Sequence, residues 1–228
     1  MQTEDPLAGS AWSRPSTVAG FVASPPNSSL VEVARQVRTH GGRLAIDIGC
    51  GAGRNAVPLG AEGWRVLGLD LSLPMLLAAR DRARRDGLTG LTFALAPMER
   101  LPVRDASCDL IIAHGIWNLA RSTAQFRAAV HEASRCAAPG ATLFVFTFSR
   151  STLADDAPPV GGEPFVFTQF SGDPQVFLTE TQLLEEMHAA SFAPLPSRPV
   201  RELNRRSPGG LAGAGGPPVI FEAVFIRR

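Results

Sequence analysis

The sequence predicts an α/β protein: a mostly parallel sheet with helices on both faces. Three observations carry this. Short apolar runs at 44–48, 65–69, 91–95, 109–113 and 142–148 alternate with segments of helical periodicity, the pattern of strands joined by helical crossovers. Runs such as LIIA and LFVFTF are nearly continuous in apolar residues, as strands covered on both faces are. The first run also feeds a Gly-rich turn, GCGAG, that opens straight into a helical segment. The length of 228 residues and the 45% hydrophobic content suit a single domain over the whole chain.

Each element has a local reason. Residues 1–20, rich in Ser, Pro, Gly and Thr, read as a mobile arm, and FVASPPN at 21–27 as a Pro-punctuated turn. Asn27 or Ser28 caps a helix whose Leu30, Val33, Ala34 and Val37 share one face, so residues 1–40 form an arm and a cap helix. Gly41 and Gly42 end it. The first strand, 44–48, enters the Gly turn, and a helix over 54–62 follows, with Pro58 expected to kink it. Asp70 ends the second strand and Ser72 caps a helix to Asp86. The third and fourth strands follow, then a helix over 122–136 and the fifth strand. Beyond Phe148, Pro, Gly and Phe crowd an insertion at 151–178. Phe165, Phe167 and Phe170 there either cover an acceptor or pack an extra strand. Thr179 opens a helix to about 190, and 198–203 and 218–227 read as two strands joined by the loop SPGGLAGAGGPP.

Composition removes several function classes. Basic and acidic residues number 22 and 21, for a net charge of +1, and no basic stripe suggests a nucleic-acid partner. Every basic residue is Arg, and Lys and Tyr are absent. A Schiff-base lysine, a P-loop lysine, a kinase lysine and a Tyr–Lys dehydrogenase pair are therefore excluded. Cys50, Cys108 and Cys136 are odd in number and far apart, which suggests reduced thiols in a cytosolic protein. His40, His114, His131 and His188 show no metal-ligand spacing, so no metal is expected. No apolar run is long enough to suggest a signal peptide or a membrane span.

Three motifs carry chemistry. In Asp47-Ile-Gly49-Cys50-Gly51-Ala-Gly53 the glycines let the backbone turn sharply, and the helix start offers free N–H groups suited to a carboxylate. Asp47, two residues before the first Gly, suits an ammonium group. Together they describe an amino-acid head group. Asp70 stands 21 residues after Gly49, one strand–helix–strand unit on, where an acid accepts ribose hydroxyls. Leu71 is placed to cover one face of an adenine. The third motif is Ala96-Pro97-Met98-Glu99-Arg100-Leu101-Pro102, followed by SCDLIIAHGI with His114 at a strand end. There His114 is either a partly buried histidine bonded to backbone, or a pocket wall or base.

The segments DIGCGAGRN, LGLDLS, MERLPV and SCDLIIAHGI, in this order and spacing over roughly 40–150, resemble the class I S-adenosylmethionine-dependent methyltransferases. The resemblance implies a Rossmann-like, seven-stranded, mostly parallel sheet with an antiparallel last strand. It implies that Asp47, Gly49 and Gly51 hold the methionine end, Cys50 adds a backbone contact, Asp70 holds the ribose, and Met98 lies beside the adenine. Many relatives carry an Asp at the position of Pro97, so Glu99 or backbone near Met98 takes over here. The turn Gly53-Arg54-Asn55 and the run Arg201-Glu-Leu-Asn204-Arg205 resemble more briefly the tellurite-resistance methyltransferases. That places Asn55 at the cofactor and makes Arg205, with His114, a candidate at the acceptor. The implied activity is in-line transfer of a methyl group to a small-molecule acceptor, with no nucleic-acid or membrane partner. The alternatives are an NAD-type oxidoreductase, disfavoured by GxGxG and Asp47, or a non-catalytic S-adenosylmethionine-binding protein.

Overall fold

The computed structural model describes residues 4–204 and 217–228. In chain order the elements are α1 (Pro15–Ala23), α2 (Ser28–Thr39), β1 (Leu44–Ile48), α3 (Ala56–Ala61), β2 (Arg65–Asp70), α4 (Leu73–Arg85), β3 (Leu91–Leu95) and β4 (Cys108–His114). Then come α5 (Thr123–Cys136), β5 (Ala137–Phe148), β6 (Val166–Phe167), β7 (Gln175–Val176), α6 (Glu180–Ala189), β8 (Phe192–Pro194), β9 (Arg201–Leu203) and β10 (Ile220–Arg227). The main sheet runs β3-β2-β1-β4-β5-β10-β8, with β9 also on β10. Strands β1 to β5 are mutually parallel, and β10 is antiparallel to β5. The sheet reverses its order between β1 and β4, the switch point at which open α/β sheets bind ligands.

The expected antiparallel last strand is present, but among the described residues the main sheet has eight strands rather than seven. Two short strands share the outer edge of β10: β9 pairs with 220–222 and β8 with 225–227. Each is three residues long, too short for alternation to register.

Alternation along the strands divides the core. Ile46, Ile48, Ile111, Ala113, Leu143, Val145, Phe221 and Phe225 face α5 and α6. Ala45, Leu110, Ile112, Phe144 and Val224 face Leu30, Val33 and Ala34 of α2. Period two therefore puts Asp47, His114, Phe146 and Glu222 on the α2 face.

Three local expectations change. The arm is not free along its length: Pro15 sits in the first turn of α1, where its missing N–H costs nothing, and α1 packs beside α4. Pro58 lies in the first turn of α3, because the helix starts at Ala56 and not at 54. No intrahelical hydrogen bond is lost there, and no kink is needed. Phe165 and Phe167 are buried, with Phe165 edge-on to Phe126, while Phe170 stays exposed. The insertion thus packs a two-stranded β6–β7 hairpin into the core, which rules out a three-ring apolar cover.

Candidate cofactor and acceptor site

The loop after β1 is shaped by glycines. Gly49 and Gly51 have φ of +69° and +52°, in the left-handed region that side chains avoid. Neighbours also press on them. A Cβ on Gly49 would lie 2.7 Å from Ile116, and one on Gly51 would lie 3.1 Å from Phe21 of α1. Cys50 donates its backbone N–H to Leu69 O at 2.9 Å, tying the loop to β2. Its side chain is buried beside Gly68, where a Cβ would come within 2.9 Å of the sulfur. Burial and the nearby Asp47 and Asp70 push the thiol up, so it stays protonated.

Asp47 is fully buried on β1. The Ala56 N–H at the start of α3 bonds its carboxyl, yet Oδ2 has no partner among the described residues. Burial first, and the charge of Asp70 second, raise its pKa to about 7. A buried carboxyl with one orphaned oxygen, beside a helix start and left-handed glycines, fits an ammonium-bearing ligand.

Asp70 ends β2. Its Oδ2 accepts Gly51 N–H at 2.8 Å and its Oδ1 accepts Ser72 N–H at 2.8 Å. Each oxygen keeps a lone pair for a hydroxyl. Burial raises its pKa, and the Ser72 and Gly51 N–H groups oppose that rise. Ser72 caps α4 and meets Ser13 Oγ at 3.1 Å, while Asp5 accepts Leu73 N–H at 3.0 Å, so the N-terminal segment docks on this rim. Leu71 is half-buried next to Asp70. Asp70 registers with Leu95 on β3, which brings buried Met98 and half-buried Glu99 just past the same rim.

Asn55 is buried, and its Oδ1 accepts Asn27 N–H at 3.1 Å, so its side chain turns toward the start of α2. His114 ends β4 and stacks on Phe146 with ring centroids 4.2 Å apart. Burial, and then the charge of Arg54, lower its pKa to about 4. Its Nε2 meets Asn27 Nδ2 at 3.3 Å. In register with His114 run Phe146, Glu222 and Arg201, on β5, β10 and β9. Arg201 donates to Glu222 Oε1 at 3.3 Å, and both line a cavity of about 400 Å³. Arg205 lies outside the described residues.

The structure therefore brings Asp47, Gly49, Gly51 and Asp70 together at the β1–β2 rim, and His114 together with Asn27 and Glu222 at the β4–β10 rim. Sequence reasoning saw Asn27 only as a cap and passed over Glu222. The signal for Glu222 was a lone carboxylate inside the apolar run VIFEAVFI.

Residues 46–145 match the family model described as a methyltransferase domain. Over 132 residues the chain is 27% identical to the 2-heptyl-1-hydroxyquinolin-4(1H)-one methyltransferase of Mycobacteroides abscessus, covering 58% of this chain and 56% of that protein. The chain spans about half the length of the curated relatives it matches. A SAM-dependent methyltransferase of Methanosarcina mazei superposes with a TM-score of 0.66 at 18% identity, covering 89% of this chain and 98% of that one. The 1,6-didemethyltoxoflavin-N1-methyltransferase of Burkholderia thailandensis, solved with S-adenosylhomocysteine, superposes with a TM-score of 0.64 at 20% identity, covering 88% and 78%. At such identities the two structures speak for the fold. The matched stretch runs from β1 into β5 and carries the Gly turn, both carboxylates and His114, so it is in this part of the chain that the similarity to methyltransferase domains lies.

Proposed function

We propose that this protein transfers a methyl group from S-adenosylmethionine to a small-molecule acceptor. The observation that carries the reading is the orphaned, buried Asp47 oxygen facing a loop of left-handed glycines, one strand away from Asp70. In this reading Asp47 holds the ammonium, the Gly49–Cys50–Gly51 turn lies against the methionine end, and Asp70 holds the ribose. Leu71 and Met98 flank the adenine, with Glu99 and nearby backbone replacing the acid absent at Pro97. When bound, S-adenosylmethionine supplies a methyl carbon already activated by a sulfonium. The chain's own work is then alignment and exclusion of water, worth about 7–11 kcal/mol in well-oriented systems.

The acceptor lies, in this reading, over the β4–β5 rim beside His114. A base with a pKa of about 4 is too weak to take a proton from a hydroxyl at neutral pH. We read His114 as a wall and hydrogen-bonding group rather than a general base. The acceptor then brings its own lone pair: an amine, a thiolate, or an enol or phenol acidic enough to ionise in water. The quinolone and toxoflavin methyltransferases named above are enzymes of planar heterocycles, in keeping with that class. Three unpaired, buried cysteines support a reducing, cytoplasmic setting. Among the described residues no helix is long and apolar enough to cross a membrane.

The test is transfer from methyl-labelled S-adenosylmethionine to a panel of ionised phenols, enols, thiols and heterocyclic amines. Labelled product from at least one class, at a rate that follows acceptor ionisation, supports the reading. Turnover limited by a protein group titrating near 6.5, abolished by His114→Ala, would restore His114 as the base.

A further inference from the structure

We propose that Asn27 is a positioning residue: its amide holds His114 as a neutral imidazole with the proton on Nδ1, and ties that ring to the buried carboxylate of Glu222. The orientation of the amide is fixed by the helix it caps. Asn27 Oδ1 accepts Leu30 N–H at 2.9 Å, which leaves Nδ2 as the group that points to the sheet. Nδ2 carries two hydrogens and meets two acceptors, His114 Nε2 at 3.3 Å and Glu222 Oε2 at 3.0 Å. An amide nitrogen donates and does not accept, so Nε2 must be the bare nitrogen of the ring. Nδ1 then holds the proton, beside the His114 carbonyl.

Residue choice supports this. Ser, Thr and Asp cap a helix about as well as Asn, but none offers two donors. A cap alone does not require Asn; a cap that also bridges an imidazole and a carboxylate does. The bridge spans 87 residues to His114 and 195 to Glu222. The backbone N–H of the same residue reaches Asn55 Oδ1 at 3.1 Å, beside the Gly turn. One residue thus joins the cofactor loop to the acceptor rim.

Two charged groups lie near the ring. Arg54, before α3, disfavours the imidazolium, whereas Glu222 on β10 is linked to the ring through the Asn27 amide, with Arg201 on β9 paired to its other oxygen. Phe144 and Phe146 of β5 supply only ring faces. The Asn27 amide stands between His114 and Glu222 and satisfies both without a proton on Nε2.

The inference uses the methyltransferase reading only to place an acceptor beside His114; the hydrogen bonds stand without it. The experiment follows the His114 ring by NMR against pH in the full chain. Asn27→Ser keeps the cap and removes both donors, and Asn27→Asp keeps the cap and turns a carboxylate toward Nε2. In the unchanged protein His114 is an Nδ1–H tautomer that titrates far below 6.5. Asn27→Ser raises its midpoint by about one unit or more and abolishes the tautomer preference, and Asn27→Asp raises it further. A His114 with the same midpoint and tautomer in both variants overturns the assignment, and so does an Nε2–H tautomer in the unchanged protein. A parallel titration with S-adenosylhomocysteine separates the two claims. If it does not bind while His114 responds as stated, the methyltransferase reading falls and the role of Asn27 stands.

Discussion

The β1–β2 rim is held together by main chain, whereas the β4–β10 rim is held together by side chains. At the first, Asp70 grips two backbone N–H groups, Cys50 N–H binds Leu69 O, and left-handed glycines set the path. At the second, one amide bridges a histidine and a carboxylate, and a guanidinium pairs with the same carboxylate from the far side. Main-chain construction suits a ligand that never changes. Side-chain construction lets acceptor specificity change by substitution while the first rim stays intact. Substitutions at the two rims should therefore separate cofactor binding from acceptor handling.

The largest effect is expected at Asp70. If Asp70 holds the ribose as proposed, Asp70→Ala removes two charge-assisted bonds at about 1.5–3 kcal/mol each, and S-adenosylhomocysteine affinity should fall by at least about a hundredfold. Asp86→Ala, at the exposed end of α4, leaves that affinity in place when both are measured by calorimetry. Equal losses would mean that the first rim is not where the ribose sits.

Next is the pH dependence set by Asp47. Its carboxyl, ordinarily near 3.8, titrates at about 7 in the fold. The raised value means that its contribution to stability of the unliganded protein is fully present below 3.8 and is lost as pH rises through 7. A ligand ammonium pairs with the ionised form, so binding has the opposite trend. S-adenosylhomocysteine affinity should rise roughly tenfold from about pH 5.5 to about pH 7 and then level off. Asp47→Asn should bind weakly and show no such rise, and a rise retained in that variant would assign it to another group.

Gly49→Ala should cost less. The left-handed φ costs about 1–2 kcal/mol, which in a chain of this size lowers Tm by roughly 2–8 °C. The clash with Ile116 adds to that. An unchanged Tm on thermal unfolding would show that the loop has another accessible path.

The smallest effect belongs to Arg201. Its side chain is 62% exposed and makes one long contact to Glu222, so Arg201→Ala should change stability by less than about 1 kcal/mol. Cofactor affinity should not move. A raised Michaelis constant for the acceptor would place Arg201 in acceptor handling, and a loss of cofactor binding would break the separation of the rims.

The same contrast explains what could be read from the sequence. The Gly turn, Asp47 and Asp70 lie within one strand–helix–strand unit, and their spacing alone pointed to a head group and a ribose. The first five strands showed themselves through apolar runs of five to seven residues. The β4–β10 rim draws on Asn27, His114 and Glu222, residues far apart in the chain. No local spacing connects them, and only the in-register row across β4, β5 and β10 does. The three-residue strands β8 and β9 and the two-residue strands of the insertion are stabilised by pairing and burial, not by pattern. Helix α1 was hidden for a similar reason: it buries none of its residues fully, and Pro15 reads as a breaker unless its place at the helix start is known.

The most direct measurement is a calorimetric titration of the whole chain with S-adenosylhomocysteine, repeated with NADH and repeated on Asp70→Ala. The account predicts micromolar or tighter binding of S-adenosylhomocysteine, with about 2.7 kcal/mol of added stability at about 100 times its Kd. It also predicts no comparable heat from NADH and loss of the signal in Asp70→Ala. Tight NADH binding with no response to S-adenosylhomocysteine at millimolar concentration would contradict it.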